Sequence, residues 1–181
     1  MERVQKSIAI TGLIAAVLGI SAYIDTDSPP EKSSDFLGIS FEKEFLKEVP
    51  ICADEQKLDH LCRVSTSDPQ KFEIRGLPYL PISPGYSLIA TVDDGKISQL
   101  TLSGKAVSLE LVEIMLTNHF GEPSTLQDVW EKTEAGPSFN NRMMTWSGNN
   151  IEVDFHRLKE DLGLYSVTVS TGSEKLQSSI E

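Results

Sequence analysis

Cysteine and histidine are scarce in this 181-residue chain, with two of the first and three of the second. A zinc site of four cysteines is therefore impossible, and a two-metal centre is short of ligands. Basic residues are also few. Sixteen Lys and Arg stand against 27 Asp and Glu, a formal net charge of −11. That argues against general nucleic-acid binding, which needs a basic footprint. It argues less strongly against docking on an anionic membrane. The phosphate-cradling glycine loops are absent. So are the G-x-S-x-G nucleophile elbow, the H-E-x-x-H zinc motif and a calcium-binding EF-hand loop. Asp93-Asp94-Gly95 is too short to hold calcium and reads as a turn. With 24% charged and 39% hydrophobic residues, the composition is that of a soluble globular protein of one domain, with room for a tail.

The strongest signal present is at the N-terminus. Arg3 and Lys6 precede an apolar run from Ile8 to Ile20, with Thr11 inside it, followed by Ser21 and Ala22 and then by polar sequence from Asp25. A short basic start, an apolar core and a small-residue exit describe a secretory signal, cleaved after Ser21 or Ala22. No cysteine follows the run, which excludes a bacterial lipoprotein anchor. Ser7 to Ile24 is also just long enough for an uncleaved membrane-spanning helix, with Tyr23 at the interface. Residues 1–24 are thus a signal peptide or an N-terminal anchor. Both place the remainder outside: periplasmic or secreted if cleaved, membrane-tethered if not. Residues 25–35, rich in Pro, Ser and acids, read as a flexible linker. An exported domain is expected over 36–172, with a disordered tail at 173–181. Removing the first 22 residues takes away Arg3, Lys6 and Glu2, and so deepens the charge of −11 to −12.

Export sets the reading of the cysteines. Cys52 and Cys62, ten positions apart, are expected to form a disulfide in an oxidising compartment. The alternatives are a redox pair, usually the tighter C-x-x-C, or a metal site that adds His60.

Along the domain, apolar alternation predicts strands at 37–45 and 71–75, then an extended proline-rich connection over 76–85. Tyr86–Val92 and Lys96–Leu102 flank Asp93-Asp94-Gly95 as a hairpin, with an irregularity near Gln99. A helix is expected over 107–119. Val107, Leu111, Ile114 (or Met115) and Asn118 form its stripe, widened by Leu109, Val112 and Leu116. Ser108 is the expected N-cap, and Gly121 and Pro123 end the helix. Further strands are expected at 126–133, 142–147, 151–155 and 164–171. The resulting order is four strands, a helix and four strands. It predicts an α+β fold: a curved antiparallel sheet of about seven to eight strands packed on one main helix, plus the N-terminal apolar helix.

The helix end His119-Phe120-Gly121-Glu122-Pro123-Ser124, Trp146 on a strand, the last strand Tyr165-Ser166-Val167-Thr168-Val169, the Leu37-Gly38-Ile39 opening and the early cysteine pair together resemble small uncharacterised exported bacterial proteins. The resemblance spans residues 37–171. It extends loosely to periplasmic inhibitor and assembly-factor domains, which set a helix on an antiparallel sheet. It implies a fold and an address, and it brings no catalytic residues.

No catalytic, cofactor or metal residues are assigned, and no cofactor is expected. His119 reads as a helix-end residue, His156 (near Asp154 and Arg157) as surface, and His60 as part of the disulfide loop. Tyr79, Tyr86, Trp130 and Trp146 are the candidates for a binding surface; for Trp130 and Trp146 a place in the sheet core is the alternative. The acidic group Asp154, Glu160 and Asp161 is a solvated face or a guide for a basic partner. The expected function is a non-enzymatic exported domain that binds or inhibits another protein of the envelope or extracellular space, such as a basic secreted enzyme. A small-ligand binder beneath residues 107–119, or an enzyme with an unrecognised histidine–carboxylate site, are the alternatives.

Overall fold

In the computed structural model of the chain, the described residues are 34–53, 60–132, 136, 138–148 and 150–171. The expected signal or anchor at 1–24, the linker up to residue 33 and the tail at 173–181 lie outside them.

A small hairpin comes first, β1 (Asp35–Phe36) with β2 (Ile39–Ser40). One helical turn follows, α1 (Phe45–Glu48). The single strand expected over 37–45 is thus a hairpin and a turn. The cause is local: Leu37 and Gly38 both take positive φ, which reverses the chain between two apolar residues. Phe36, Ile39, Phe41 and Phe45 are buried all the same.

Eight strands then form one open antiparallel sheet. They are β3 (Cys62–Ser65), β4 (Lys71–Arg75), β5 (Ser87–Asp93), β6 (Lys96–Lys105), β7 (Thr125–Lys132), β8 (Ser138–Ser147), β9 (Ile151–Arg157) and β10 (Leu164–Thr171). The order across the sheet is β3-β4-β5-β6-β10-β9-β8-β7. The main helix, α2 (Leu109–Phe120), joins β6 to β7 after a 3-10 turn at Ala106–Ser108. Each half of the chain is therefore a helical segment followed by a four-strand meander. The last strands of the two halves meet antiparallel in the middle of the sheet. The fold is α+β, as the alternation of strands around a single strong helix implies.

Register explains why one face is buried. Ile74, Leu88, Leu102, Val167, Phe155 and Met144 lie opposite one another from β4 to β8. They form one continuous apolar row, buried at every position. Ala90, Leu100, Val169, Val153 and Trp146 form the next. A strand's side chains alternate between faces. The residues between these rows therefore make a mostly polar opposite face: Thr101, Thr168, Asp154 and Thr145 stand in one line across it, with Ile89 at its end. Val112 and Leu116 of α2 are fully buried in the cluster formed by the apolar face.

The hairpin around Asp93-Asp94-Gly95 is as expected, with Asp94 and Gly95 at positive φ, as a tight two-residue turn requires. The register shifts between Thr91 and Val92, leaving Ser98 as the extra residue, next to Gln99. Cys52 and Cys62 form a disulfide, with a Cα–Cα distance of 4.9 Å. It ties the segment before β3 to the edge strand, and Cys52 N–H also donates to the Arg63 carbonyl at 3.1 Å. Both sulfurs are used in that bond, which leaves no thiolate for the metal site with His60.

Candidate functional site: the outer face of the main helix

The stripe expected to face the core points outward instead. Val107 is 78% exposed, Leu111 45% and Ile114 50%, while Val112 and Leu116 are fully buried. Leu109, Met115 and Phe120 pack partly against the core. The helix is apolar on two sides, and periodicity alone cannot choose which side meets the sheet. The outer residues recur at intervals of four and three, a spacing that suits contact with another helix or an apolar surface.

An apolar groove of about 420 Å³ runs beside this stripe. It is lined by Phe36 and Leu37 from the β1–β2 hairpin, Pro81 from the proline-rich connection, and Leu111, Ile114 and Met115 with Asn118 and His119 from α2. The groove lies beside α2 rather than beneath it, where a ligand cavity was expected. Three elements position it. The β1–β2 hairpin is fixed by Phe36, which stacks on Phe120 at 5.8 Å and meets His119 edge-on at 6.0 Å. His119 Nε2–H donates to the Asp35 carbonyl at 3.0 Å, and Asp35 Oδ1 lies 3.8 Å from the same nitrogen. The proline-rich connection is held by Ser83, whose N–H donates to Ser108 Oγ at 2.9 Å. Ser108 stands at the helix N-cap position but makes no capping bond; its buried hydroxyl serves the connection instead.

The four candidate aromatics are not brought together. Tyr79, 91% exposed, lies in the connection two residues before Pro81. Tyr86 is half-buried and lines a separate depression of about 500 Å³ with the Glu73–Arg75 ion pair. Trp130, 71% exposed, lies on edge strand β7. Trp146 is only 3% exposed and belongs to the core, so it cannot serve as a contact surface. Its indole N–H donates to the Gly121 carbonyl at 2.7 Å, at the end of α2.

The histidines form no recognisable catalytic set among the described residues. His119 is a clasp between α2 and the hairpin. His156 lies opposite Ser166 on the polar face, while nearby Asp154 accepts a hydrogen bond from Thr145 at 2.9 Å. No group of three or more His, Cys, Asp or Glu suited to a metal occurs among the described residues. No helix among them is long and apolar enough to cross a membrane.

One buried hydroxyl is perturbed. Tyr165 is fully buried and its OH has no hydrogen-bond partner. Burial, and secondarily the charge of Tyr86, push its pKa up to about 12. Gly104 lies opposite it in the sheet.

Comparison with known proteins brings no relative: no family model, no curated protein and no solved structure matches the chain.

Proposed function

We propose that this chain is an exported domain that binds another protein of the envelope or extracellular space through the outer face of α2 and the groove beside it. The observation that carries this reading is the exposed apolar stripe Val107, Leu111 and Ile114, which runs from the 3-10 turn onto α2, a helix that already buries Val112 and Leu116 in the core. Exposing such a patch costs solubility, and contiguous apolar patches commonly mark interaction sites. The basic-then-apolar N-terminus and the disulfide support export. A partner that carries positive charge around an apolar contact fits best. Glu110 lies on α2 beside the stripe, Glu113 is shared with Arg142 at 3.7 Å, and the chain as a whole is strongly acidic. Charge of that sign speeds encounter with a cationic protein, and added salt slows it. Inhibition of a basic secreted enzyme is one form such binding takes.

Photo-crosslinking in intact cells tests the surface directly. A photoreactive residue at Ile114 should give a discrete protein adduct, and one at Thr101 on the polar face should not. Adducts at Thr101 alone overturn the assignment. The groove keeps one second reading open, a small apolar ligand, because about 420 Å³ is within the range of small-molecule sites. A native protein that carries a copurified apolar small molecule, with no protein adduct at Ile114, would favour that reading.

A further inference from the structure

Strand β7 is the last strand of the sheet. Only β8 pairs with it among the described residues. It keeps unbroken register with β8 over all eight residues, Thr125–Lys132, and contains no proline or glycine. Among the described residues no strand pairs with its other side, whose outward amide and carbonyl groups make a template for another strand. Natural edges are usually blunted by charge. Here the charges are arranged so that they attract a copy of the same edge. Asp128 and Lys132 flank Trp130 at two residues on either side, and residues two apart share a face.

We propose that β7 is a self-pairing edge, through which two copies of this chain join antiparallel about a two-fold axis at Trp130. The two sheets then become one continuous sheet.

The register follows from the charges. In an antiparallel pair, residues pointing toward the new strand face residues that also point toward it. For two identical strands this allows only axes that pass through a residue. An axis at Asp128 sets that carboxylate against its own copy, and an axis at Glu131 does the same for Glu131. An axis at Val129 overlaps a longer stretch, but it sets Asp128 against the indole and Lys132 against Leu126. The axis at Trp130 sets Asp128 opposite Lys132 twice, the two indoles opposite each other, and Glu131 opposite Val129. It alone pairs opposite charges within the strand, and it brings no like charges face to face. Opposite-charge and aromatic cross-strand pairs are the ones that stabilise a sheet. Arg142 Nε lies 3.5 Å from Asp128, whose side chain remains nearly half exposed and open to a second cation. Because the axis stands perpendicular to the sheet, both α2 helices fall on the same side. Two apolar stripes then face one direction, and a partner with two contact points gains from the second.

A charge-swap series in the full chain, in mild detergent, tests this without reference to the partner proposed above. The wild-type chain should sediment as a dimer of the protein component. Lys132→Asp alone, and Asp128→Lys alone, should each weaken the dimer at least about tenfold. Mixing the two single variants should restore it, because an edge with two lysines then opposes an edge with two aspartates. The double variant Asp128→Lys/Lys132→Asp should dimerise like wild type. Trp130→Cys should crosslink to its own copy on oxidation, while Leu126→Cys should not. A monomeric wild-type chain overturns the proposal, as does a dimer that both single variants leave intact. Neither result bears on whether a partner binds at Ile114, so the two readings fail separately.

Discussion

The indole N–H of Trp146 donates to the carbonyl of Gly121 at 2.7 Å, across 25 residues of chain. Trp146 lies on β8, and Gly121 is the first residue after α2. That carbonyl lies where the helix ladder runs out of donors. The bond ties the end of α2 to β8. Replacing Trp146 by Phe keeps most of the apolar burial and removes the donor. We expect a loss of about 1–2 kcal/mol, read from the urea midpoint at unchanged slope.

Gly104 and Tyr165 are opposed on β6 and β10. A Cβ at Gly104 would lie 2.7 Å from the Tyr165 hydroxyl and 2.9 Å from its ring carbon Cζ. Tyr165 is fully buried, so the ring has little room to retreat. Gly104→Ala should cost about 1–3 kcal/mol through overpacking. In the Tyr165→Phe background the cost should shrink, because the nearest clashing atom is gone. A double-mutant cycle in denaturant measures that coupling.

The same tyrosine gives a pH signature. Its pKa, ordinarily 10.0, is raised to about 12 in the folded protein. The folded state therefore holds a proton that the unfolded state releases between those values. Stability from this group is complete below pH 10 and falls as the pH rises toward about 12, by up to about 1.4 kcal/mol per unit. Tyr165→Phe should flatten that part of the stability curve. Because the hydroxyl has no partner, the substitution should also be neutral or stabilising at neutral pH.

Most of the fold was legible in the sequence. Strands β4, β5, β6, β9 and β10 and the helix α2 follow from alternation, turn chemistry and the Gly121–Pro123 stop. Two parts were not. Strand β3 is only four residues long and follows the disulfide loop with no turn signal of its own. The opening hairpin hides in a segment that alternates like a strand, and only the positive φ at Leu37 and Gly38 reveals the reversal. The site was less legible still. Val107, Leu111 and Ile114 and the buried pair Val112 and Leu116 look alike in sequence. What separates them is which side of α2 meets the sheet, and that is decided by tertiary packing, not by the spacing of the residues. Trp146 and Trp130 share a residue type and a strand setting, yet one lies in the central rows and the other at the edge.

Asn141 supplies a further test. Its side-chain amide donates to the Arg157 carbonyl at 3.0 Å, and its oxygen accepts the Arg157 N–H at 3.1 Å. The side chain thus completes the ladder where β9 ends. Asn141 is buried, 2% exposed. Asn141→Leu should leave two backbone groups without partners and cost about 2–4 kcal/mol, seen as fast amide exchange at Arg157.

The disulfide closes a short loop before β3. Cys52→Ser/Cys62→Ser should lower stability by roughly 3 kcal/mol in the chain-entropy account. The same drop should follow when wild-type protein is unfolded in reductant.

The most direct test of the account is the intact mass of the native protein, taken from soluble and membrane fractions and alkylated with and without prior reduction. The account predicts either a soluble exported species lacking about the first 22 residues or a full-length membrane-bound species. Both thiols should be blocked to alkylation until reduced. A full-length soluble protein inside the cell, with both cysteines free to react, would contradict it.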